Sequence, residues 1–481
     1  MIFASAAEEL AATAAFGRAE GDRYIPTGSP APGALVDRLA HTAALGGSAD
    51  LKGTARWVLR SLAAAQGIRP ASIQALYTAM GREEAGGFTV PAMNLRAMTY
   101  YTARAAFRAA RRLEAGALVF EISRSEIGYT EQRPNEYAAV VTAAALREGF
   151  TAPIFIQGDH VQVSARQYHG PSRDAEIALL ESLIREEIAA GFYNIDIDTS
   201  TLVDLEQPTL EAQQELNCEL AAAFTGFCRD HEPPGVTLSL GGEIGEVGGR
   251  NSDVHELRAF MKGYAAALER HGGGAGISKI SVQTGTAHGG FVGPDGRVRT
   301  DVALDLDVLR ELSTVARREY GLAGAVQHGA STLPPDAFGS FPRAGACEIH
   351  LATDFQNVVY DHPQFPEALK QEMYEWLHDH AAEERKPGDT DRQFIYRARK
   401  KALGPFKSRL WTMADAAKAA LGEALEERFA FLMQQLQVAG TAEVVHRYVT
   451  APAPVFSREA EVLAAAGQIS AAERKAEGLA D

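Results

Sequence analysis

Between residues 88 and 351 short apolar runs alternate with longer helix-periodic stretches, and no other feature of this 481-residue chain narrows its fold as much. The runs fall at 88–93, 117–122, 153–156, 192–197, 236–240, 277–282, 322–326 and 347–351. Runs of this length, without polar alternation, suit parallel strands covered on both faces, and the stretches between them carry helical periodicity. AMTYYTARAAFRAARRLEAG, RDAEIALLESLIREEIAAG and SDVHELRAFMKGYAAALERHGG each close on glycine, a common helix stop. Eight such βα units in sequence predict a (β/α)8 TIM barrel over residues 87–362. An open doubly wound sheet would produce the same rhythm.

Outside that span the chain is helix-prone. Residues 1–86 form an Ala-rich N-terminal helical extension broken at 27–33, and residues 363–481 a C-terminal helical extension with a charged break, EERKPGDTD. With 46% hydrophobic and 23% charged residues the chain can bury a large core, which excludes disorder as its main state. It carries 62 Asp plus Glu against 47 Lys plus Arg, a formal charge of −15, which argues against nucleic acid or an anionic membrane as partner. Three cysteines, Cys218, Cys228 and Cys347, have no metal-type spacing and read as reduced thiols. With no signal-peptide pattern and no run of about 18 apolar residues, the expected location is cytoplasmic.

Polar residues stand where core strands should end: Asp159 and His160 after the third run, Asp196 and Asp198 at the fourth, Glu243 after the fifth, His288 after the sixth and His328 after the seventh. In a (β/α)8 barrel these ends share one rim, where active sites are built. A lone histidine at a strand end is more often a hydrogen-bonded structural residue, but three on one rim suit a divalent cation, zinc first, with cobalt or manganese as alternatives. His288 and His328 are each followed by glycine, which lets backbone N–H groups approach an anion. Glu243 opens the glycine-rich EIGEVGGRNSD, read as a loop on that rim.

Over residues 86–410 these segments resemble the class II, metal-dependent fructose-bisphosphate and tagatose-bisphosphate aldolases. The resemblance runs through FTVPAMN, FEIS, QGDH, IDTS, GGEIGEVGG, GTAHG, HGAS, LATDFQ and RKKALGP, in the family's order. It implies His160, His288 and His328 as metal ligands, with Asp198 and Glu243 at a second cation position. It implies Asp159 as the acid/base acting on the C4 hydroxyl. Asn94, Ser123 and His350 match substrate-contacting positions, Gly289, Gly329, Ser331 and Thr353 a phosphate cradle, and Arg399 the contact to a distal phosphate. The implied reaction is reversible aldol cleavage of a ketose phosphate through a metal-stabilised enediolate, in a homodimer or homotetramer.

Several positions depart from the family pattern. Its proton-exchanging loop glutamate is Asn251 here, which leaves that role to Asp253 or Glu246 if it is filled at all. The lysine after the second histidine motif is missing, with Arg297 and Arg299 in an insertion; Glu348 and His350 stand where lysine and asparagine are expected, and Ala352 replaces an aspartate. A changed substrate follows from these losses. Two other readings stand beside the aldolase: a metal-dependent ketose 4-epimerase working by retro-aldol chemistry, and a non-catalytic aldolase partner subunit. The apolar stripe Phe429, Leu432, Met433 and Leu436 could serve an oligomer or pack on the chain's own barrel.

Overall fold

All eight apolar runs form strands in the computed structural model, which describes residues 2–245, 250–285, 291–293, 298–299 and 304–467. They are β1 (Val90–Asn94), β2 (Val119–Ser123), β3 (Pro153–Gln162), β4 (Asn194–Asp198), β5 (Ser239–Glu243), β6 (Lys279–Val282), β7 (Ala325–Gln327) and β8 (Glu348–Leu351). Each pairs in parallel with the next, and β8 returns to β1 through His350 opposite Ala92, so the sheet closes into a barrel and the open-sheet alternative is excluded. Helices fill the crossovers, as parallel pairing requires. Arg173–Ala190 ends on Gly191 in the left-handed region as expected, whereas Thr99–Arg112 stops before its glycine, with Glu114 taking positive φ instead.

One strand was not foreseen. Arg69–Ala71 pairs with the lower half of β3, on the edge that β4 takes higher up. The Asn194 side chain stitches the junction: its oxygen accepts from the Ile73 amide at 2.9 Å and its nitrogen donates to the Ile156 carbonyl at 2.9 Å. A three-residue strand containing proline leaves no periodic trace. The lead is also not purely helical, since Gly17–Glu20 and Arg23–Pro26 form an antiparallel hairpin.

The two ends of the described chain meet. Helix Arg458–Ala466 lies along Ala49–Ala65, so closely that a Cβ on Gly53 would sit 2.5 Å from the Val462 Cα. Arg60 pairs with Glu461 at 2.7 Å, both buried, and the Trp57 indole donates to the Phe456 carbonyl. Helix Asp415–Gln435 packs on Thr99–Arg112 and buries Phe429, Leu432 and Met433, with Leu436 just beyond it, so this stripe is used within the chain. Among the described residues no helix is long and apolar enough to cross a membrane. Cys218, Cys228 and Cys347 are buried free thiols.

Candidate functional site

The strand ends bring the expected polar residues together at the carboxyl rim. A ladder irregularity between Gly158 and Val161 bends the end of β3 there, and His160 takes a left-handed φ of +42°. A bulge re-aims side chains at a strand end. Here it sets Asp159 and His160 side by side at the rim. His160, Glu243 and His328 offer ligand atoms within 4.8 Å of one another, and the rings of His160 and His328 are 4.3 Å apart. Two imidazoles and a carboxylate, buried or half-buried, form a donor set that fits a borderline divalent cation. His288, Gly289, Glu246 and Arg297 lie outside the described residues.

Asp198 sits behind His160. One of its oxygens lies 2.9 Å from His160 Nδ1 and accepts from Gln162 at 2.6 Å, and the other accepts from the Ser200 amide and hydroxyl. Burial pushes this carboxyl up, but those hydrogen bonds outweigh it and hold it below the ordinary range. Such a carboxylate orients a ligating imidazole. Glu243 is pushed up to about 7 by burial and by the charge of Asp198. Burial opposes a charge on His160, yet Asp159, Asp198 and Glu243 raise its proton affinity well above the usual value, and anionic surroundings that draw a proton also draw a metal cation.

Asp159 is buried with Oδ1 3.1 Å from His350 Nδ1 and Oδ2 3.5 Å from the Asn94 amide nitrogen. Asn94 also donates to Glu126, whose carboxylate accepts from the Ser123 amide at 2.8 Å and from Arg96 Nε at 2.5 Å. Gly329 takes φ +66°, and Ser331 Oγ accepts from the Ala352 amide at 2.7 Å, joining the loops after β7 and β8. Thr353 begins helix Thr353–Asp361 and lies 3.5 Å from an Arg96 nitrogen. Arg399 is spent elsewhere: it donates to Asp361 at 2.8 Å and Asn357 at 2.5 Å and stacks on Tyr360 and Tyr396. Asn251 is exposed, and the Asp253 carboxylate caps helix Val254–Arg270 by accepting from the His255 and Glu256 amides.

Beneath the rim the barrel interior is charged where branched aliphatic residues usually fill it. Lys279 donates to Asp196, Gln157 and Glu348, all buried. Glu348 also contacts His350 Nε2 at 2.8 Å and accepts from the hydroxyl of Tyr77. Burial pushes Glu348 up, but Lys279 and His350 hold it well below the ordinary range. Asp159, His328 and His350 form a second cation-sized group, and Asp196, Glu348 and His350 a third, in which the Lys279 ammonium already pairs with both carboxylates. Glu121 lies 3.1 Å from His350 Nδ1 and is pushed up to about 8 by burial and by Asp159.

Glu121, Gln157, Lys279 and Tyr77 were missed from sequence. The available signal was a polar residue at an inward position of a barrel strand: Glu121 is two residues before Ser123, and Lys279 opens the sixth strand. Tyr77 carries no such mark.

Comparison with known proteins fits this geometry. The model of the fructose-bisphosphate aldolase class-II family matches residues 75–430. No curated protein sequence matches the chain. Among solved structures, a fructuronate-tagaturonate epimerase from Cohnella laeviribosi aligns over 80% of this chain and 86% of its own, at 14% identity and a TM-score of 0.51, a likeness of fold. A fructose-bisphosphate aldolase from Campylobacter jejuni aligns over 78% and 97% at 16% identity and TM-score 0.46. A probable tagatose 6-phosphate kinase from Sinorhizobium meliloti aligns over 82% and 99% at 18% and 0.49.

Proposed function

The chain belongs to the class II fructose-bisphosphate aldolase family, as a divergent member, and from that premise we propose that it cleaves the C3–C4 bond of a ketose phosphate, such as fructose or tagatose 1,6-bisphosphate, in a reversible aldol reaction. The observation that carries the reading is the placement of Asp159 beside the His160, Glu243 and His328 donor group at the carboxyl rim. Those three residues, with His288 by resemblance, would hold a divalent cation, zinc first. Such a cation supplies Lewis-acid polarisation of the substrate carbonyl. Asp159 accepts the C4 hydroxyl proton, the C3–C4 bond breaks with its electron pair passing to the C2–C3 fragment, and the C4 oxygen becomes an aldehyde carbonyl. On return Asp159 gives the proton back. Asn94 and Ser123 line the approach, and the loops of Gly329, Ser331 and Thr353 would take an anionic group. We propose residues 87–362 as the catalytic unit of a cytoplasmic homodimer or homotetramer.

A second reading, ketose 4-epimerisation, is favoured by the loop after β5. Asn251 cannot titrate and the Asp253 carboxylate is committed to its helix cap, which leaves only Glu246, outside the described residues, of the two loop acids named for that role. An enzyme that never releases the three-carbon fragment has no need to exchange a proton on it. The commitment of Arg399 to Asp361 weakens the case for a distal phosphate, and the Cohnella protein of like fold acts on ketohexuronates, which adds that class to the test. A partner-subunit role has no use for the buried donor group.

The test is product analysis after metal-stripped and zinc-restored protein meets fructose and tagatose 1,6-bisphosphates, their monophosphate and free forms, fructuronate and tagaturonate. Zinc-dependent release of dihydroxyacetone phosphate, lost in Asp159→Asn, is the expected result. A C4-epimerised ketose with no three-carbon product selects the epimerase, and tight zinc binding with no turnover sinks both.

A further inference from the structure

The segment ahead of the barrel reaches toward the reacting end of the site through a buried phenol. Tyr77, on helix Gln74–Gly81, is fully buried and donates its hydroxyl to Glu348 Oε2. Glu348 Oε1 lies 2.8 Å from His350 Nε2, and His350 Nδ1 lies 3.1 Å from Asp159 Oδ1. The connection is continuous: phenol, carboxylate, imidazole, carboxylate, with every member buried. We propose that Tyr77 is a positioning residue for Asp159, acting through Glu348 and His350. The proposal rests on the reading of Asp159 as the proton-transfer group.

The physical argument is one of constraint. A carboxylate that must meet a substrate hydroxyl loses rate when its orientation wanders by tenths of an ångström. Asp159 is held at Oδ1 by His350. That ring is wedged in turn, 4.0 Å from the His328 ring on its face and bonded at both nitrogens along its edge. Its Nε2 partner is a glutamate whose second oxygen is fixed by the phenol. Lys279 and Gln157 share Oε1 with His350, so the Tyr77 hydroxyl is the contact shown on Oε2, and it sets how the carboxylate turns about its last torsion. Removing that oxygen lets Glu348 rotate toward Lys279 and loosens the ring that holds Asp159. Networks of this kind respond as a unit.

The experiment uses Tyr77→Phe, which deletes one oxygen and keeps the ring, with Glu348→Gln as a second variant. Three readouts are taken: steady-state kinetics, thermal unfolding, and the 15N resonance of the His350 Nε2 atom in ring-labelled, metal-free protein. In Tyr77→Phe kcat falls about tenfold with KM held within about twofold, and the His350 signal moves while unfolding stays cooperative. In the double variant kcat is no lower than in Glu348→Gln alone, because the two act on one path. An unmoved His350 resonance with unchanged kcat in Tyr77→Phe, while Asp159→Asn is inactive, sinks this proposal alone. Full turnover in Asp159→Asn sinks the proton-transfer reading and this one with it.

Discussion

Two parts of the molecule bury carboxylates and treat them in opposite ways. In the barrel interior Asp196 and Glu348 flank the Lys279 ammonium, and Gln157, His350 and Tyr77 complete the hydrogen bonds of Glu348. At the clasp between the chain's two ends Glu9 is fully buried with neither oxygen hydrogen-bonded. Burial pushes Glu9 up to about 9, and the charge of Arg458 opposes that only in part. An unpaired buried charge costs several kcal/mol, so a carboxyl without a partner keeps its proton. The difference separates a layer that keeps its charges for work from a joint that removes one by protonation.

The comparison breaks most sharply at Lys279. Lys279→Met leaves Glu348 and Asp196 facing each other, and the expected loss is about 3–5 kcal/mol, because stripping one partner strands the other charges. Urea unfolding reads it as a lower midpoint at unchanged slope. Adding Glu348→Gln and Asp196→Asn should return a large part of that loss. If Lys279→Met unfolds like the parent, the layer is not held by charge.

Loading the rim with metal has a smaller effect. At a hundredfold above its Kd, zinc should stabilise the parent by about 2.7 kcal/mol, and His328→Ala should lose more than half of this. Equal stabilisation of both would place the ion elsewhere.

At the clasp the lever is pH. The folded state holds a Glu9 proton up to about pH 9, whereas the unfolded chain releases it near the ordinary 4.5. Its contribution is therefore complete below about 4.5 and is lost as pH rises toward 9, by up to about 1.4 kcal/mol per pH unit. Glu9→Gln imitates the protonated form, so thermal unfolding should match the parent at pH 5 and exceed it at pH 8.5. Parallel pH profiles would mean that Glu9 ionises in the folded protein without cost.

The same contrast explains how much could be read in advance. The eight strands and their order were legible because parallel strands covered on both faces write themselves as unbroken apolar runs. The rim residues Asp159, His160, Glu243 and His328 were legible because a charge at the end of such a run has no packing reason to be there. The interior layer was not. Lys279 and Glu121 stand within largely apolar runs, where a polar letter is indistinguishable from an ordinary edge position, and their partners lie far off in sequence, Glu348 69 residues from Lys279 and Gln157 36 from Glu121. Tyr77 and the strand Arg69–Ala71 belong to a lead whose alanine-rich pattern gives no hint that it enters the barrel. Asp198 was placed at the rim, but only the structure showed both of its oxygens engaged behind His160.

The smallest expected effect is at Arg458, and it tests whether the clasp is an electrostatic joint at all. Arg458 is about one-third exposed, pairs with Asp50 at 2.6 Å and donates to Thr54 Oγ1 at 3.1 Å. A pair so open to water contributes less than about 1 kcal/mol, so Arg458→Gln should be almost silent in thermal unfolding at pH 5. Its second role is on Glu9, where its positive charge is what eases ionisation. Removing it makes the buried carboxyl hold its proton to still higher pH, so the variant keeps losing stability where the parent levels off. The two curves should overlie through neutral pH and separate only near pH 9 and above. In the Glu9→Gln background that separation should vanish, since no carboxyl remains for the arginine to act on. A gap of constant size at every pH would instead make Arg458 a packing residue of the terminal helix.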